Sequence, residues 1–253
     1  MSTIAPVLPS RKCLDSFQEA IHEWQLQPNR RCLLIIDAAQ FDEHEVTSAL
    51  YAECNDPNWC WLFENSPLDA FADAGPIIID TDADSRFCQH ALTQWAEKGL
   101  LFLFTESDAD KAVAGLRSVL KVELETAGPC LLRPYDTRFL QVLSACQPKQ
   151  MAELLTADST WIWSVDLQNR VQWSGLHATG SAQPARNHHG RDFERLLSWV
   201  AGWPACLPYV SGDWQADATT LTRFITNQWH SGLAWDDQSG ELETQWTAFR
   251  ESS

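Results

Sequence analysis

Basic residues are nearly absent from a long part of this sequence. Between Asp37 and Asp110 there are sixteen Asp or Glu residues but only two basic residues, Arg86 and Lys98, in a chain of 253 residues with a formal net charge of -16. A surface with this charge repels nucleic acid and attracts a basic protein segment. We therefore expect no nucleic-acid partner. The acidic face either steers a protein partner or simply keeps the protein soluble.

The sequence also lacks long apolar runs. No stretch approaches the roughly 20 apolar residues that span a bilayer, and residues 1–12 contain no apolar core of signal-peptide length. We therefore expect no membrane partner and a cytoplasmic protein. The eight cysteines are scattered, and Cys32 and Cys130 lie inside apolar segments, which favours reduced, buried thiols over a disulfide framework.

Motifs of common enzyme classes are missing as well. There is no Gly-x-Ser-x-Gly, no phosphate-binding loop and no Gly-x-Gly-x-x-Gly, so nucleophilic and nucleotide chemistry have no recognisable site. Cys54, Cys60 and His44 lack the spacing of zinc ligands, and there is no Cys-x-x-Cys pair. We predict no catalytic residues, no metal and no cofactor.

One pattern favours an enzyme. The apolar run Ile77–Ile79 is followed by Asp80 and Asp82, and carboxylates at a strand end can hold a divalent metal for glycosyl or phosphoryl transfer. Acidic residues after a strand are common, however, so helix capping and solvated charge are the simpler interpretation. A metal-dependent transferase that uses Asp80 and Asp82 is the alternative to a non-enzymatic function.

Apolar runs alternate with segments of helical spacing along the first two thirds of the chain. This alternation predicts an α/β fold, a mixed sheet flanked by helices, with a hairpin at 121–132. The predicted strands are 32–36, 59–63, 77–79, 100–104, 121–125, 129–132, 160–165 and 171–173. The predicted helices are 14–26, 43–54, 66–74, 85–97, 107–120 and 138–155, the last being one helix or a pair broken near Pro148.

A polar segment rich in Gly, Ser, Pro and Asn predicts a linker at residues 177–190. It would separate an α/β domain at residues 1–176 from a smaller, mainly helical lobe at residues 191–253. His188 and His189 lie in this linker and are interpreted as solvated. The C-terminal part is rich in tryptophan, and tryptophan is enriched in interface hot spots. We therefore take Trp203, Trp214 and Trp229 as candidate partner-binding residues.

The stretch Pro129–Asp136 is a second candidate interface. An apolar run that we expect to be buried ends in Arg133, Tyr135 and Asp136. A guanidinium and a carboxylate this close can tie two layers of the fold together or hold a partner. An Arg133–Asp136 ion pair that stabilises the sheet edge is the simpler of these two interpretations.

Five short stretches, in their order and spacing, resemble a known family. They are LLIIDAA at 33–39, WLFENSP at 61–67, AGPII at 74–78, GLL at 99–101 and LRPYD at 132–136. The set is similar to the Tap/TEC-type effector chaperone, or adaptor, domain of bacterial type VI secretion, long catalogued as a domain of unknown function. The resemblance covers about residues 30–165. Ile77 and Thr137 depart from it, since the family often has an aromatic residue and a proline at these positions.

The resemblance implies a non-enzymatic role. Such adaptors bind a cognate toxic effector in the cytoplasm and help to load it onto the VgrG spike, so the implied partners are the effector, through its N-terminal region, and VgrG. An immunity protein is a third class, which would bind the toxic domain instead. The positions implied to bind a partner or organise the interface are Asp37, Trp61, Gly75, Pro76, Arg133, Tyr135 and Asp136.

Overall fold

The computed structural model describes residues 12–14, 16–23, 26, 31–124, 128–146, 159–166, 171–178, 188–189 and 224. Within these ranges the strands are β1 (Lys12–Leu14), β2 (Arg31–Ile36), β3 (Asn58–Trp61), β4 (Ile77–Asp82), β5 (Leu100–Thr105), β6 (Lys121–Leu124), β7 (Gly128–Leu131), β8 (Ser159–Asp166), β9 (Val171–Ala178) and β10 (His188–His189). The α-helices are α1 (Phe17–Glu23), α2 (Glu45–Glu53), α3 (Arg86–Gln94), α4 (Ala109–Ser118) and α5 (Thr137–Cys146). Short 3-10 segments occupy Ala38–Gln40, Asp69–Ala74 and Ala96–Lys98.

Seven strands form the main sheet, in the order β1-β9-β8-β5-β2-β4-β3. Its centre consists of the apolar runs of β2, β4 and β5, whose side chains are almost completely buried because both faces of the sheet are covered. On one face, Phe17 of α1, Val46 of α2 and Phe87 of α3 join the same core cluster as the strand residues. These observations confirm the predicted α/β class with flanking helices.

The alternating pattern of strands and helices could not specify which strands are neighbours in the sheet. Helix α2 connects β2 to β3, and α3 connects β4 to β5, but neither pair of strands is adjacent in the sheet. A third strand lies between the two members of each pair, and it is antiparallel to both. All neighbouring strands of the main sheet are antiparallel in the described residues. Among these residues, the one parallel pair is β10 and β6, which belong to the small sheet.

The predicted hairpin is present, but it belongs to a separate sheet. Strands β6 and β7 pair antiparallel and form a three-stranded sheet with β10. The expectation that the run Pro129–Leu132 is buried is wrong for most of it: Pro129 and Leu131 are exposed, whereas Leu132 is buried. The reason is that β7 lies at the edge of a small sheet. The backbone of His188–His189, in the predicted linker, pairs with β6.

The end of the main sheet formed by β1, β9 and β8 also differs in detail from the prediction. The helix expected at 14–26 is shorter, because Leu14 belongs to β1 and pairs with Trp173 of β9. The strands predicted at 160–165 and 171–173 are confirmed as β8 and β9, which pair antiparallel and have eight residues each. Cys32, Cys54, Cys60, Cys88 and Cys130 are free thiols; Cys32 and Cys88 are buried, as expected, whereas the other three, Cys130 included, are only partly buried.

The predicted boundaries at 176 and 190 remain predictions. Of the predicted C-terminal lobe, the structure describes Phe224 alone. Among the described residues, no helix combines the length and the apolarity needed to cross a membrane.

Candidate functional site

Arg133 connects the ends of two strands from different sheets. Asp37 directly follows β2, and Arg133 follows β7 by two residues. The Arg133 Nη2 donates a hydrogen bond of 2.8 Å to Asp37 Oδ2. Asp37 is 8% exposed, whereas the Arg133 side chain is 44% exposed. The pair therefore ties the small sheet to the centre of the main sheet, which is the layer-tying role expected of Arg133.

Tyr135 is the second partner of Arg133. The Arg133 Nε donates to the Tyr135 hydroxyl at 3.2 Å, and the guanidinium carbon lies 5.2 Å from the centre of the ring. Burial raises the pKa of Tyr135, and the nearby Arg133 only partly opposes this rise. Burial lowers the pKa of Arg133, but Tyr135, Asp37 and Asp136 outweigh it and raise the pKa above its ordinary value. At neutral pH Arg133 is therefore a cation and Tyr135 is uncharged.

Asp136 pairs with Arg138, so the predicted ion pair between Arg133 and Asp136 is wrong. The Arg138 Nε donates to Asp136 Oδ1 at 3.0 Å, and the Arg138 Nη2 donates to Asp136 Oδ2 at 2.8 Å. The backbone N–H of Arg138 also donates to Asp136 Oδ1 at 3.0 Å, which caps the start of α5. The backbone N–H of Asp136 donates to the Arg133 carbonyl at 2.9 Å, which closes a tight turn. Residues 133 and 136 thus have different ion-pair partners.

Phe63 links this cluster to Gly75 and Pro76. Its ring lies 6.1 Å from the Tyr135 ring in an edge-on arrangement. A Cβ added to Gly75 would lie 2.7 Å from Phe63 Cγ, so only glycine fits at position 75 without moving the ring. The Pro76 carbonyl accepts a hydrogen bond from the backbone N–H of Leu62 at 2.8 Å. Gly75 and Pro76 therefore position the Phe63 ring, which packs against the ring of Tyr135.

A second glycine allows α5 to approach β5. Gly99 has a φ of 83°, and a Cβ there would lie 2.6 Å from the Thr137 Oγ1. Positive φ combined with this close approach requires glycine. Thr137 is the first residue of α5 and directly follows Asp136. Gly99 therefore sets how closely the start of α5, with its Asp136–Arg138 pair, lies against the main sheet.

These residues surround a cleft of about 460 Å³, which we call the Arg133 cleft. Four carboxylates and three cations line it among the described residues. Such a wall offers ion pairs and hydrogen bonds to a bound group. The charged residues that line it are Asp37, Glu97, Lys98, Arg133, Asp136, Arg138 and Asp166.

Trp61 does not line this cleft. It ends β3 at the edge of the main sheet, where its ring meets that of Trp59 at 5.5 Å, edge-on. Arg117 of α4 donates to the Trp61 carbonyl at 2.9 Å and to the Leu62 carbonyl at 3.1 Å. These bonds satisfy carbonyl groups beside an otherwise open sheet edge. Trp61 lines a second, more apolar pocket, described below.

Asp80 is engaged in hydrogen bonds from other side chains. Arg31 donates to both of its carboxylate oxygens, at 2.8 and 2.9 Å, and Asn58 Nδ2 donates to Oδ2 at 3.1 Å. A metal ion at Asp80 would have to displace these donors. Asp80 and Asp82 also lie within β4 and not after it. In the described residues no group of three or more His, Cys, Asp or Glu side chains is arranged to hold a metal.

The structure thus places the predicted residues in two connected groups and adds others. Asp37, Arg133, Tyr135 and Asp136 line the Arg133 cleft, and the group of Trp61, Gly75 and Pro76 lies at the junction of β3 and β4. Trp203, Trp214 and Trp229 lie outside the described residues. Sequence reasoning missed Phe63, Arg117 and Arg138. Only Arg138 had a local signal, since it lies in the first helical turn two residues after the capping Asp136.

Comparison with known proteins gives one match. Residues 32–153 match the model of a family described as a domain of unknown function, DUF4123, which is known in type VI secretion effector adaptors. The matched range contains both groups of residues described above. No curated protein and no solved structure matches the chain.

Proposed function

On the premise of this family match over residues 32–153, we propose that the protein is a cytoplasmic adaptor that binds a cognate type VI secretion effector and promotes its loading onto the VgrG spike. The family match is the observation that carries the proposal. In this role the protein catalyses no reaction. Its partners are proteins, and the effector engages it through a segment near its own N-terminus.

The chemistry of the Arg133 cleft supports a binding role. Each of its two arginines is held by a carboxylate of the same chain, Arg133 by Asp37 and Arg138 by Asp136. The two pairs connect the end of β2, the end of β7 and the start of α5. A rigid junction of this kind presents a fixed surface to a partner and reduces the ordering cost of binding. We therefore assign the cluster an interface-organising role.

The charge of the chain supports a protein partner of opposite charge. The excess of acidic residues between Asp37 and Asp110 creates a field that accelerates encounter with a basic segment and disfavours nucleic acid. An adaptor needs fast and selective capture of a newly made effector, and electrostatic steering provides both.

The test is a purification and a secretion assay in the native bacterium. The tagged protein is isolated from the cytoplasm at low and moderate salt, and co-purifying proteins are identified by mass spectrometry. We expect one large effector, with or without VgrG. Deleting the gene should stop secretion of that effector and leave the secretion of other effectors unchanged. A bait that recovers no secretion protein at either salt, combined with unchanged secretion, would overturn the proposal.

The same strain separates the adaptor from the two other classes. An immunity protein would protect the cell, so its deletion would cause self-intoxication while secretion continued. A transferase using Asp80 and Asp82 would require those carboxylates, so an Asp80→Ala, Asp82→Ala variant would lose function with its effector still bound. We expect that deleting the gene stops secretion of the effector. Expressing the Asp80→Ala, Asp82→Ala variant in the deletion strain should restore it.

A further inference from the structure

A second pocket lies next to the Arg133 cleft and has no part in the ion-pair cluster. It has a volume of about 290 Å³, and we call it the Phe41 pocket. Its walls come from the 3-10 segment Ala38–Gln40, the start of α2, the end of β3 and the 3-10 segment Asp69–Ala74. Ala39 lines both the pocket and the cleft, so the two are adjacent.

The base of the Phe41 pocket is apolar and fixed. Val46 and Ile77 are 2% and 1% exposed and belong to the main core cluster. Phe41 and Trp61 are half-buried and pack against that cluster. The Phe41 ring also meets the Trp95 ring edge-on at 5.0 Å. A pocket whose walls are anchored in the core is already formed before a ligand arrives, which favours binding.

The rim of the pocket is acidic. Asp42, Glu43 and Asp73 line it, and all three are exposed. Basic side chains nearby already have partners: His44, which lines the pocket, lies 3.4 Å from Glu43 Oε1, and Lys98 lies 4.1 Å from the Phe41 ring centre and 3.9 Å from Glu45. The pocket therefore presents an apolar interior beneath carboxylates.

The adjoining wall carries an exposed aromatic side chain. Phe71 lies in the same 3-10 segment as Asp73 and is 63% exposed. Exposed aromatic residues beside an acidic surface suit a protein interface, since aromatic anchors dominate binding energy there. The volume of the pocket is just below the roughly 300–1,000 Å³ of small-molecule sites, which suits one large side chain better than a cofactor.

We infer that the Phe41 pocket binds a segment of a protein partner in which one large apolar side chain is flanked by Lys or Arg. The apolar side chain fills the pocket, and the flanking cations pair with Asp42, Glu43 and Asp73. The inference rests on the proposed function in one respect: the segment belongs to the effector. A second copy of this chain is disfavoured as the occupant, because two chains of net charge -16 repel each other.

The probe is an immobilised peptide array read with the full-length protein. Each peptide carries one of the twenty amino acids at its centre, and its flanks are Lys and Arg, Ser and Gly, or Glu and Asp. We expect the strongest signal for Phe, Leu, Ile, Met or Trp between basic flanks. The best peptide is then titrated in solution by fluorescence anisotropy.

Matched variants connect the peptide to the pocket. Asp73→Lys reverses a rim charge and Ala74→Trp fills the pocket, and each should weaken the peptide by about tenfold or more. Asp84→Lys makes the same charge change at an exposed residue elsewhere, and Ala70→Trp adds the same bulk to an exposed position outside the pocket. Both controls should bind within about threefold of the wild type.

Several results would overturn the inference. These are a signal that depends on the flanks but not on the central residue, a preference for acidic flanks, no peptide binding, or equal affinity of Ala74→Trp and wild type. A dimer that Ala74→Trp dissociates would instead assign the pocket to a second copy of the chain.

The effector purification separates this inference from the proposed function. An effector retained equally by wild type, Asp73→Lys and Ala74→Trp would leave the adaptor function standing and reject the pocket as its contact. Pocket-dependent peptide binding by a protein that recovers no secretion component would support the pocket and reject the function.

Discussion

Replacing Arg133 by methionine tests the junction between the two sheets. The change removes the guanidinium and keeps most of the aliphatic stem. Asp37, 8% exposed, would lose its 2.8 Å hydrogen bond and retain Gln40 Nε2 at 3.5 Å. The change at the partner residue, Asp37→Asn, keeps the guanidinium of Arg133, which is 44% exposed and can bind water. We therefore expect Arg133→Met to lower the free energy of unfolding more than Asp37→Asn does.

The magnitude follows from the burial of the two partners. A hydrogen bond to a charged group contributes about 1.5–3 kcal/mol, and breaking a fully buried pair costs about 3–5 kcal/mol. Because Arg133 is half exposed, solvent screens the pair, and we take about 2 kcal/mol for Arg133→Met and about 1 kcal/mol for Asp37→Asn. The double variant should lose about 2 kcal/mol, less than the sum of the single changes, because both remove the same interaction.

Urea unfolding followed by tryptophan fluorescence measures these differences. With a dependence of about 1–3 kcal/mol per molar urea, Arg133→Met should lower the midpoint by about 1 M. Arg86→Met, which removes an exposed arginine from the first turn of α3, is the matched control and should change stability by less than about 0.5 kcal/mol. The reasoning is refuted if Arg133→Met shifts the midpoint no more than Arg86→Met, or if Asp37→Asn is the more damaging change.

Three further outcomes are expected. Because burial raises the pKa of Tyr135, the folded state resists ionisation of this side chain. The resulting stability is present below about pH 10 and is lost as pH rises through the raised pKa. The free energy of unfolding of the wild type should therefore fall more between about pH 9 and 11 than that of Tyr135→Phe. Gly99→Ala, with a Cβ 2.6 Å from Thr137 Oγ1, should cost about 1–3 kcal/mol, part of which a second change, Thr137→Ala, restores. Adding Mg²⁺ or Mn²⁺ should leave the melting temperature of wild type and of Asp80→Ala, Asp82→Ala unchanged.

Each of these outcomes has its own control. Tyr51→Phe, at an exposed tyrosine, controls for the loss of one phenol. Equal alkaline destabilisation of wild type and Tyr135→Phe would contradict the first prediction. Thr137→Ala alone gives the baseline for the second, which fails if the two changes are simply additive. A rise in melting temperature with metal that the double aspartate variant abolishes would contradict the third and favour an enzyme.

Local signals predicted most of the elements because local physics determines them. The central strands β2, β4 and β5 are continuous apolar runs. Ser85 and Asp108 precede helices α3 and α4, and each side chain accepts a backbone N–H in the first turn of its helix, as serine and aspartate commonly do at this position. These signals involve residues a few positions apart, so no knowledge of the rest of the chain is needed.

Local sequence signals could not predict the order of the strands or the partners of the ion pairs. The alternating pattern predicted a mixed sheet, but it could not show that another strand is inserted between the strands that α2 and α3 connect, so that neighbouring strands of the main sheet are antiparallel. Proximity in sequence pointed from Arg133 to Asp136, whereas the actual partner, Asp37, lies 96 residues away. The turn at Arg133–Asp136 directs Asp136 to the start of α5, where it caps the helix and binds Arg138.

The sequence by itself determined the α/β class, the buried central strands, the excess of acidic residues and four of the residues around the cleft, Asp37, Arg133, Tyr135 and Asp136, because composition and short-range patterns specify these properties. Only the tertiary structure decided that Asp37 pairs with Arg133, that Gly75 supports Tyr135 through Phe63, and that an apolar pocket opens beneath Asp42 and Asp73. These contacts join residues far apart in the chain, and their geometry exists only once the sheets and helices have packed together.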